Sequence, residues 1–270
     1  MKMKKLFVAM MSLFLLVAMI GCSNNQSDDS ATPTADSDIA YIKEKGKLIV
    51  GITNFEPMDY PDANGEWIGF DADMAREIAK ALGVEVEFVE IEWDNKIFEL
   101  QNKSIEVVWN GMTLTDEVKN SMACTNPYLS NAQVVVLKSS VADQYADVDS
   151  LKALNIAVES GSAGEAAATE NGLTFTALGS QADALMEVAA GTSDAAIIDL
   201  LMASAMTGEG TSYPDMTFKF ELTEEVYGVG CRVGSDLAAF INEQFVTLQN
   251  NGTMENIAKT YGVQQALVKQ

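Results

Sequence analysis

The chain contains no histidine, and only three of its 270 residues are cysteine. Histidine is the commonest general base in enzymes and the commonest transition-metal ligand in proteins. Its absence argues against a triad hydrolase and against a zinc enzyme. We therefore predict no catalytic residue, no metal site and no cofactor.

Basic residues are also scarce, since 17 lysines and arginines stand against 39 acids and give a formal net charge of −22. Residues 1–21 carry three lysines and no acids, so a chain without them has a formal charge of −25. A surface of this charge repels nucleic acid and anionic membrane surfaces. We expect a small-molecule ligand and no nucleic-acid partner.

Three lysines near the N-terminus precede an uncharged apolar run, 6–20, and then Gly21 and Cys22. This run is short for a membrane span, and a small residue before a cysteine is typical of a lipoprotein cleavage site. We predict a lipoprotein signal peptide over 1–21 and lipidation of Cys22. The protein would then be anchored to the membrane on its extracytoplasmic side, at the cell surface or in the periplasm. The alternative, an uncleaved anchor, tethers the protein in the same place.

Residues 22–38 are mostly polar or acidic and show no apolar periodicity, which predicts a flexible tether. From residue 47 onward, strand-like segments such as KLIVGI (47–52) alternate with helix-like segments such as FDADMAREIAKALG (70–83). A second series of the same kind occupies 132–199. This alternation predicts an α/β fold in which mostly parallel sheets are flanked by helices.

Two helix-like segments close the chain with no strand between them. We predict two lobes, one formed by 39–133 with 226–270 and the other by 134–225. Extended crossings near 131–137 and 220–229 would join them. Ligands of open α/β sheets bind outside the carboxyl ends of the strands, so the predicted site is the cleft between the lobes.

Polar turns follow three of the predicted strands. The turn NGMTLT (110–115) follows one strand, and ESGSAGE (159–165) leads from another into a helix whose free N–H groups favour an anion. The alternative for the second turn is a simple helix start with Ser162 as N-cap. Asp199 ends the strand AAIID and can bind a ligand, cap the next helix, or do both.

Aromatic residues and cysteines are interpreted from their strand context. Phe55 and Trp93 follow strands, where a ring face can contact an apolar or cationic ligand, whereas Trp109 lies within a strand and is predicted to be core. Cys124 and Cys231 lie in apolar stretches, so free buried thiols are expected rather than a disulfide.

Eight segments in order, from about Ile39 to Gly262, resemble the extracytoplasmic solute-binding proteins of polar amino acid ABC transporters, solute-binding protein family 3. They are KLIVGI, GEWIGFDADMAREIAKALG, NGMTLTDEVKN, NPYLSNAQVVV, VESGSAGE, SDAAIID, YGVGCRVGSD and NNGTMENIAKTYG. The resemblance implies a two-lobed periplasmic-binding-protein fold. It also implies that the lobes close around a free amino acid or related small amine and deliver it to ABC permease subunits.

The resemblance also implies roles for individual residues. Phe55 and Trp93 would cover the ligand, Gly111 and Thr113 would receive its α-ammonium and α-carboxylate, and the amides of Ser162 and Ala163 would bind the carboxylate. Asp199 would pair with the α-ammonium, and Glu159 would contact the side chain of the ligand. The complete set of predicted ligand-binding residues is Phe55, Trp93, Asn110, Gly111, Met112, Thr113, Glu159, Gly161, Ser162, Ala163 and Asp199.

Val118 departs from the family pattern, which usually places there an arginine that binds the α-carboxylate. Losing one partner of a desolvated ion pair costs roughly 3–5 kcal/mol. This corresponds to a loss of more than about a hundredfold in affinity. Lys119 could replace the arginine, although adjacent helix positions point about 100° apart. Alternatively, the amides at Ser162 and Ala163 suffice together with Thr113. In the third explanation the ligand is cationic or lacks an ordinary α-carboxylate.

We expect a monomeric binding protein whose lobes close on the ligand rather than an enzyme. Two alternatives stay open. One is an enzyme on the same fold that resembles the periplasmic dehydratases, with Asp199 or Glu159 as acid or base. The other is a ligand-sensing receptor for a separate signalling partner.

Overall fold

The computed structural model describes residues 37–270, which contain ten α-helices. The helices are α1 Asp38–Lys45, α2 Phe70–Leu82, α3 Lys96–Gln101, α4 Asp116–Ser121, α5 Ser139–Ala142, α6 Ala163–Glu170, α7 Gln181–Ala190, α8 Leu200–Met206, α9 Leu237–Asn250 and α10 Thr253–Thr260. The patterns above do not predict α1, because only Asp38 and Ile42 of this short helix are buried. The last two residues of the predicted tether belong to this helix, since Ser37 is its N-cap and Asp38 its first residue.

The same residues form fourteen β-strands. The strands are β1 Lys47–Ile52, β2 Tyr60–Pro61, β3 Trp67–Ile68, β4 Glu85–Glu90, β5 Val107–Val108, β6 Ala123–Cys124, β7 Leu129–Asn131, β8 Gln133–Lys138, β9 Ile156–Glu159, β10 Phe175–Leu178, β11 Ala195–Asp199, β12 Met216–Glu221, β13 Glu225–Tyr227 and β14 Gly230–Cys231. Most of them belong to two five-stranded sheets.

The first sheet has the strand order β4–β1–β5–β14–β6. Strand β1 is parallel to β4 and β5, whereas β14 is antiparallel to β5 and β6. Helix α2 connects to β4 and buries Met74, Ile78 and Leu82 on one face, as its apolar spacing predicts. We call this sheet with its helices lobe 1.

The second sheet has the order β10–β9–β11–β8–β12. Strand β9 is parallel to β10 and β11, whereas β8 is antiparallel to β11 and β12. We call this sheet with its helices lobe 2. The predicted two-lobed α/β fold is therefore confirmed. The sheets are mixed rather than mostly parallel as predicted, because each has two parallel and two antiparallel pairings.

Strands β7 and β13 pair with each other outside both large sheets, with Asn131 opposite Glu225. Strand β7 continues into β8 of lobe 2 through Ala132, and β12 of lobe 2 leads into β13. These are the two crossings between the lobes. The first lies earlier than predicted, because residues 133–138 already form a strand of lobe 2. The lobe bounds proposed from the sequence stay a prediction.

The two closing helices return the chain to lobe 1, where α9 and α10 pack beside α2. Phe245 of α9 contacts Trp109 and Tyr128, with ring centroids 5.8 Å and 5.7 Å away. Trp109 is completely buried, which confirms that it belongs to the core. Cys124 and Cys231 are both free thiols, as expected, although Cys124 is only half-buried.

No helix within residues 37–270 combines the length and the apolar character needed to cross a lipid bilayer. The predicted signal peptide, Cys22 and all but the last two residues of the predicted tether lie outside the described residues.

Gly69 precedes α2 with φ of 132°, and a Cβ built on it would clash with the carbonyl oxygen of Met58. We expect Gly69→Ala to lower the free energy of unfolding by about 2 kcal/mol or more. Alanine is strained at this φ, and its Cβ would also force the Met58 backbone to move. Gly65→Ala is the matched control, since Gly65 has φ of 84° but open space around it. Urea unfolding would measure both variants, and equal losses would contradict the importance of the Met58 contact.

Candidate functional site

A cavity of about 350 Å³ lies between lobe 1 and lobe 2. It opens at the carboxyl ends of β5, β9 and β11, as expected for a ligand site in α/β sheets. Ten of the eleven predicted ligand-binding residues line it: Trp93, Asn110, Gly111, Met112, Thr113, Glu159, Gly161, Ser162, Ala163 and Asp199. The structure therefore brings together four separate segments of the chain. That these residues bind a ligand remains a prediction.

Phe55 is the exception, because it does not line the cavity but lies buried behind Gly111. Its ring is edge-on to that of Tyr227, with the centroids 6.3 Å apart. Gly111 has φ of 55°, and a Cβ built on it would lie 2.5 Å from Cε1 of Phe55. Phe55 supports the lobe 1 wall from behind, whereas the resemblance implied that it covers the ligand.

The Gly111 turn is fixed by a buried carboxyl group. The Gly111 N–H donates to Oδ2 of Asp71 at 2.6 Å, and the Tyr128 hydroxyl donates to the same oxygen at 2.7 Å. Burial raises the pKa of Asp71 to about 7. Asp59 is also completely buried, and its pKa is raised well above the ordinary value by burial and by the charge of Asp71. The position of Gly111 therefore depends on a carboxyl group that the sequence patterns did not single out.

The lobe 2 wall is built around the start of α6. Ser162 is the N-cap, and its hydroxyl accepts a hydrogen bond from the Glu165 N–H at 3.1 Å. The capping interpretation of Ser162 is therefore correct. It leaves a ligand role open, because the N–H groups of Ala163 and Gly164 lie in the first helical turn, where no intrahelical acceptor exists.

The two lobes approach each other closely beside this turn. Gly161 has φ of 69°, and a Cβ built on it would lie only 2.8 Å from Cα of Asp94 in lobe 1. Because only glycine avoids both this clash and the backbone strain, the residue at 161 allows the cleft to close at this edge.

Asp199 is buried at the end of β11 and holds several hydrogen bonds. Its Oδ1 accepts from the Tyr227 hydroxyl at 2.6 Å, from Nε2 of Gln133 at 3.1 Å and from the Asn131 amide. Its Oδ2 accepts from the Gln181 amide. Asp199 occupies the N-cap position of α8, but its side chain makes no capping hydrogen bond. Of the alternatives left open for this residue, the N-cap position is therefore observed but side-chain capping is not, because these donors hold the carboxyl group instead.

Two carboxyl groups in the cavity have strongly raised pKa values. Burial, helped by the charge of Asp199, raises the pKa of Glu159 to about 8. Burial and the charge of Glu225 raise the pKa of Asp199 to about 8 as well. Oε1 of Glu159 has no hydrogen-bond partner among residues 37–270. At neutral pH the cavity therefore favours the protonated, uncharged forms of both acids.

Lys96 is a cavity residue that the sequence reasoning missed. It is the first residue of α3, it is 8% exposed, and its Nζ lies 4.9 Å from the ring centroid of Trp93. The Nζ donates to the carbonyl oxygens of Trp93 at 3.2 Å and of Gly161 in lobe 2 at 2.9 Å. Burial lowers the pKa of Lys96, although the negative charge of Glu117 and other acids acts to raise it. The sequence could have indicated Lys96 through its three-residue spacing from Trp93, because residues three apart lie on the same side of a helical turn.

Val118 lines the same cavity, is 4% exposed and packs in a cluster with Met112 and Met122. The wall where the family usually has arginine is therefore apolar in this chain. Lys119 is exposed and does not line this cavity, which removes support from the explanation that Lys119 replaces the arginine.

A second, more open hollow of about 820 Å³ also lies between the lobes, with Glu56, Glu90, Glu92 and Asp183 among its lining residues. It contains none of the predicted ligand-binding residues. We assign the candidate site to the smaller cavity, because that one holds the buried carboxyl groups of Glu159 and Asp199. Within the described residues there is no group of three or more histidine, cysteine or acidic side chains that could hold a metal ion.

The chain belongs to the bacterial extracellular solute-binding proteins, family 3, whose model matches residues 48–264. It is 25% identical over 224 residues to the L-cystine-binding protein TcyJ of Escherichia coli, which covers 82% of this chain and 84% of the relative. It is 28% identical over 240 residues to the lysine/arginine/ornithine-binding periplasmic protein of Escherichia coli, which covers 84% of this chain and 91% of the relative.

Among solved structures, a variant of the ArgBP of T. maritima matches with a TM-score of 0.78 and 32% identity. The match covers 83% of this chain and 98% of that chain. Another solved form of ArgBP is described as arginine-bound. The family resemblance of the eight sequence segments is confirmed.

Glu159 should make the stability of the ligand-free protein depend on pH. The unfolded chain releases this proton near pH 4.5, whereas the folded protein keeps it until about pH 8. The contribution of protonated Glu159 to the free energy of unfolding is therefore complete at low pH and is lost as the pH rises to about 8. The free energy of unfolding of the wild type should therefore decrease between pH 5 and pH 9. We expect Glu159→Gln to remove up to about 4 kcal/mol of this decrease.

Urea unfolding at pH 5, 7 and 9 would measure this effect. Glu209→Gln is the control, because Glu209 is an exposed acid of the same lobe. An unchanged pH dependence in Glu159→Gln would contradict the raised pKa of Glu159.

Proposed function

We propose that the protein binds a free amino acid between its two lobes, with a preference for a cationic side chain. The observation that carries this proposal is the pair of buried carboxyl groups, Glu159 and Asp199, that face the interlobe cavity.

The size and the construction of the cavity support an amino acid as ligand. A volume of about 350 Å³ is at the small end of the range for small-molecule sites. Lobe 1 contributes Trp93 and Gly111 to the lining, and lobe 2 contributes Ser162 and Asp199. A ligand that touches both lobes stabilises the closed state more than any open state.

The charges support the preference for a cation. A cationic group beside a carboxyl group stabilises its ionised form, so a bound ammonium or guanidinium would offset the desolvation of Glu159 and Asp199. An acidic side chain would give neither carboxyl group this stabilisation. The ring of Trp93 offers a face on which a cation gains additional stabilisation.

The relatives point in the same direction. One relative is named for binding lysine, arginine and ornithine. One solved neighbour is described as arginine-bound. The cystine-binding relative makes cystine a necessary member of any ligand panel.

We further propose that the protein acts as a monomer, anchored through a lipid on Cys22, and delivers its ligand to ABC permease subunits. The signal-peptide pattern before Cys22 supports the anchor. The extracellular character of the family supports the location. The uncleaved anchor and the separate signalling partner remain the alternatives.

A dehydratase-like enzyme on the same fold is the second candidate, and one observation favours it. A carboxyl group with a pKa of about 8, such as that of Glu159, can donate a proton near neutral pH. The enzyme would convert its ligand, whereas a transport receptor would return it unchanged.

Calorimetric titration with L-arginine, L-lysine, L-histidine, L-cystine and L-glutamate tests the ligand class. We expect a basic amino acid to bind at least about a hundredfold more tightly than glutamate. Asp199→Asn should weaken that binding about tenfold or more, because the ligand ammonium loses a charged acceptor.

Glu209→Gln is again the control, because Glu209 is exposed and does not line the cavity. Saturable binding of glutamate alone would overturn the cationic preference. Chromatography of the ligand after incubation would distinguish receptor from enzyme, since a converted ligand would favour the dehydratase-like alternative.

The lipid anchor is tested by fatty-acid labelling in cells. We expect the wild-type protein to incorporate the label and Cys22→Ser to incorporate none, because the thiol of Cys22 is the proposed site of attachment. Cys124→Ser is the matched control, since it removes a half-buried thiol of lobe 1 and should keep the label. Equal labelling of wild type and Cys22→Ser would contradict the anchor.

A further inference from the structure

The apolar wall at Val118 leaves open which group pairs with the carboxylate of an amino acid. Val118 is 4% exposed and packs among apolar side chains. A carboxylate that enters a desolvated cavity requires a charged partner or several hydrogen bonds. Among the described residues that line the cavity, Lys96 is the one basic side chain.

We propose that Lys96 is the residue that binds the ligand's carboxylate, in place of an arginine at position 118. This inference rests on the proposed function, since it concerns an amino acid in the same cavity. It makes Lys96 a specificity-determining residue that separates amino acids from amines without a carboxylate.

The hydrogen bonds of Lys96 leave it able to take a further acceptor. An ammonium group has three N–H donors. The structure directs two of them to the carbonyl oxygens of Trp93 and Gly161, at 3.2 Å and 2.9 Å. The third donor remains for a ligand, and the two fixed bonds hold the ammonium at the cavity wall.

The position of Lys96 is suited to a carboxylate. Its Nζ contacts Gly161, which immediately precedes the N-cap Ser162 of α6. The N–H groups of Ala163 and Gly164 follow in the first turn, where the helix dipole also favours an anion. A carboxylate at this end of the cavity would meet the Lys96 ammonium and the helix start together.

A competing account is that Lys96 only joins the two lobes, through its hydrogen bond from lobe 1 to Gly161. In that case its loss would weaken every ligand that requires closure. A second competing account is that the charge of Lys96 repels cationic ligands. Agmatine, which is arginine without its carboxylate, separates the three accounts because it keeps both cationic groups.

The experiment compares wild type, Lys96→Met and Lys43→Met by calorimetric titration with L-arginine and with agmatine. Methionine keeps the approximate length of the side chain and removes its charge, and Lys43 is an exposed lysine of α1. We expect Lys96→Met to weaken arginine binding about tenfold or more. Agmatine binding should stay within about threefold or become tighter, and Lys43→Met should match wild type.

The outcomes distinguish this inference from the proposed function. Equal weakening of both ligands, or tighter binding of arginine, by Lys96→Met would overturn the role of Lys96 while leaving the amino acid receptor intact. Unchanged arginine binding in Lys96→Met would do the same. If wild type binds no amino acid in the panel, the proposed function fails, and the inference fails with it. Retained agmatine binding in Lys96→Met would show that the variant is folded.

Discussion

The carboxyl group of Asp199 lies where lobe 2, both crossing strands and the cavity meet. It accepts hydrogen bonds from Gln133, beside the first crossing, and from Tyr227, at the end of the second. The amide of Gln181 in α7 completes the set on the other oxygen. A buried carboxyl group requires such donors, because leaving it unpaired away from water is costly. The two crossings are thereby connected to the charge state of a group that faces the ligand site.

Close backbone approaches determine the shape of the cavity around this network. Gly111 admits the ring of Phe55 behind the lobe 1 wall, and Gly161 admits the backbone of Asp94 from the opposite lobe. A side chain at either glycine would separate these surfaces. Lys96 crosses the same narrow gap to reach Gly161. Without a ligand, the cleft therefore combines one cation with two uncharged carboxyl groups. A cationic ligand would stabilise the ionised forms of both carboxyl groups, and this response is the physical basis of our proposal for a cationic amino acid.

Much of the fold follows from periodicity, because burial imposes a repeat of two on strands and 3.6 on helices. Helix α2 buries the face that its apolar residues predict. Strand direction carries no such signal, so the antiparallel pairing of β8 was not predictable from its apolar run. Helix α1 was missed for a related reason, since Ile42 is its only buried apolar side chain and one such position gives no period.

The sequence by itself determined where the polar turns of the site emerge. Gly111, Ser162 and Asp199 lie at or directly after the ends of strands, and that position is local to the chain. Only the tertiary structure decided how these turns are completed. The contact from Lys96 to Gly161 joins residues 65 positions apart, and the raised pKa of Glu159 comes from burial by distant segments. No local pattern records such contacts, because they exist only after the two lobes have packed against each other.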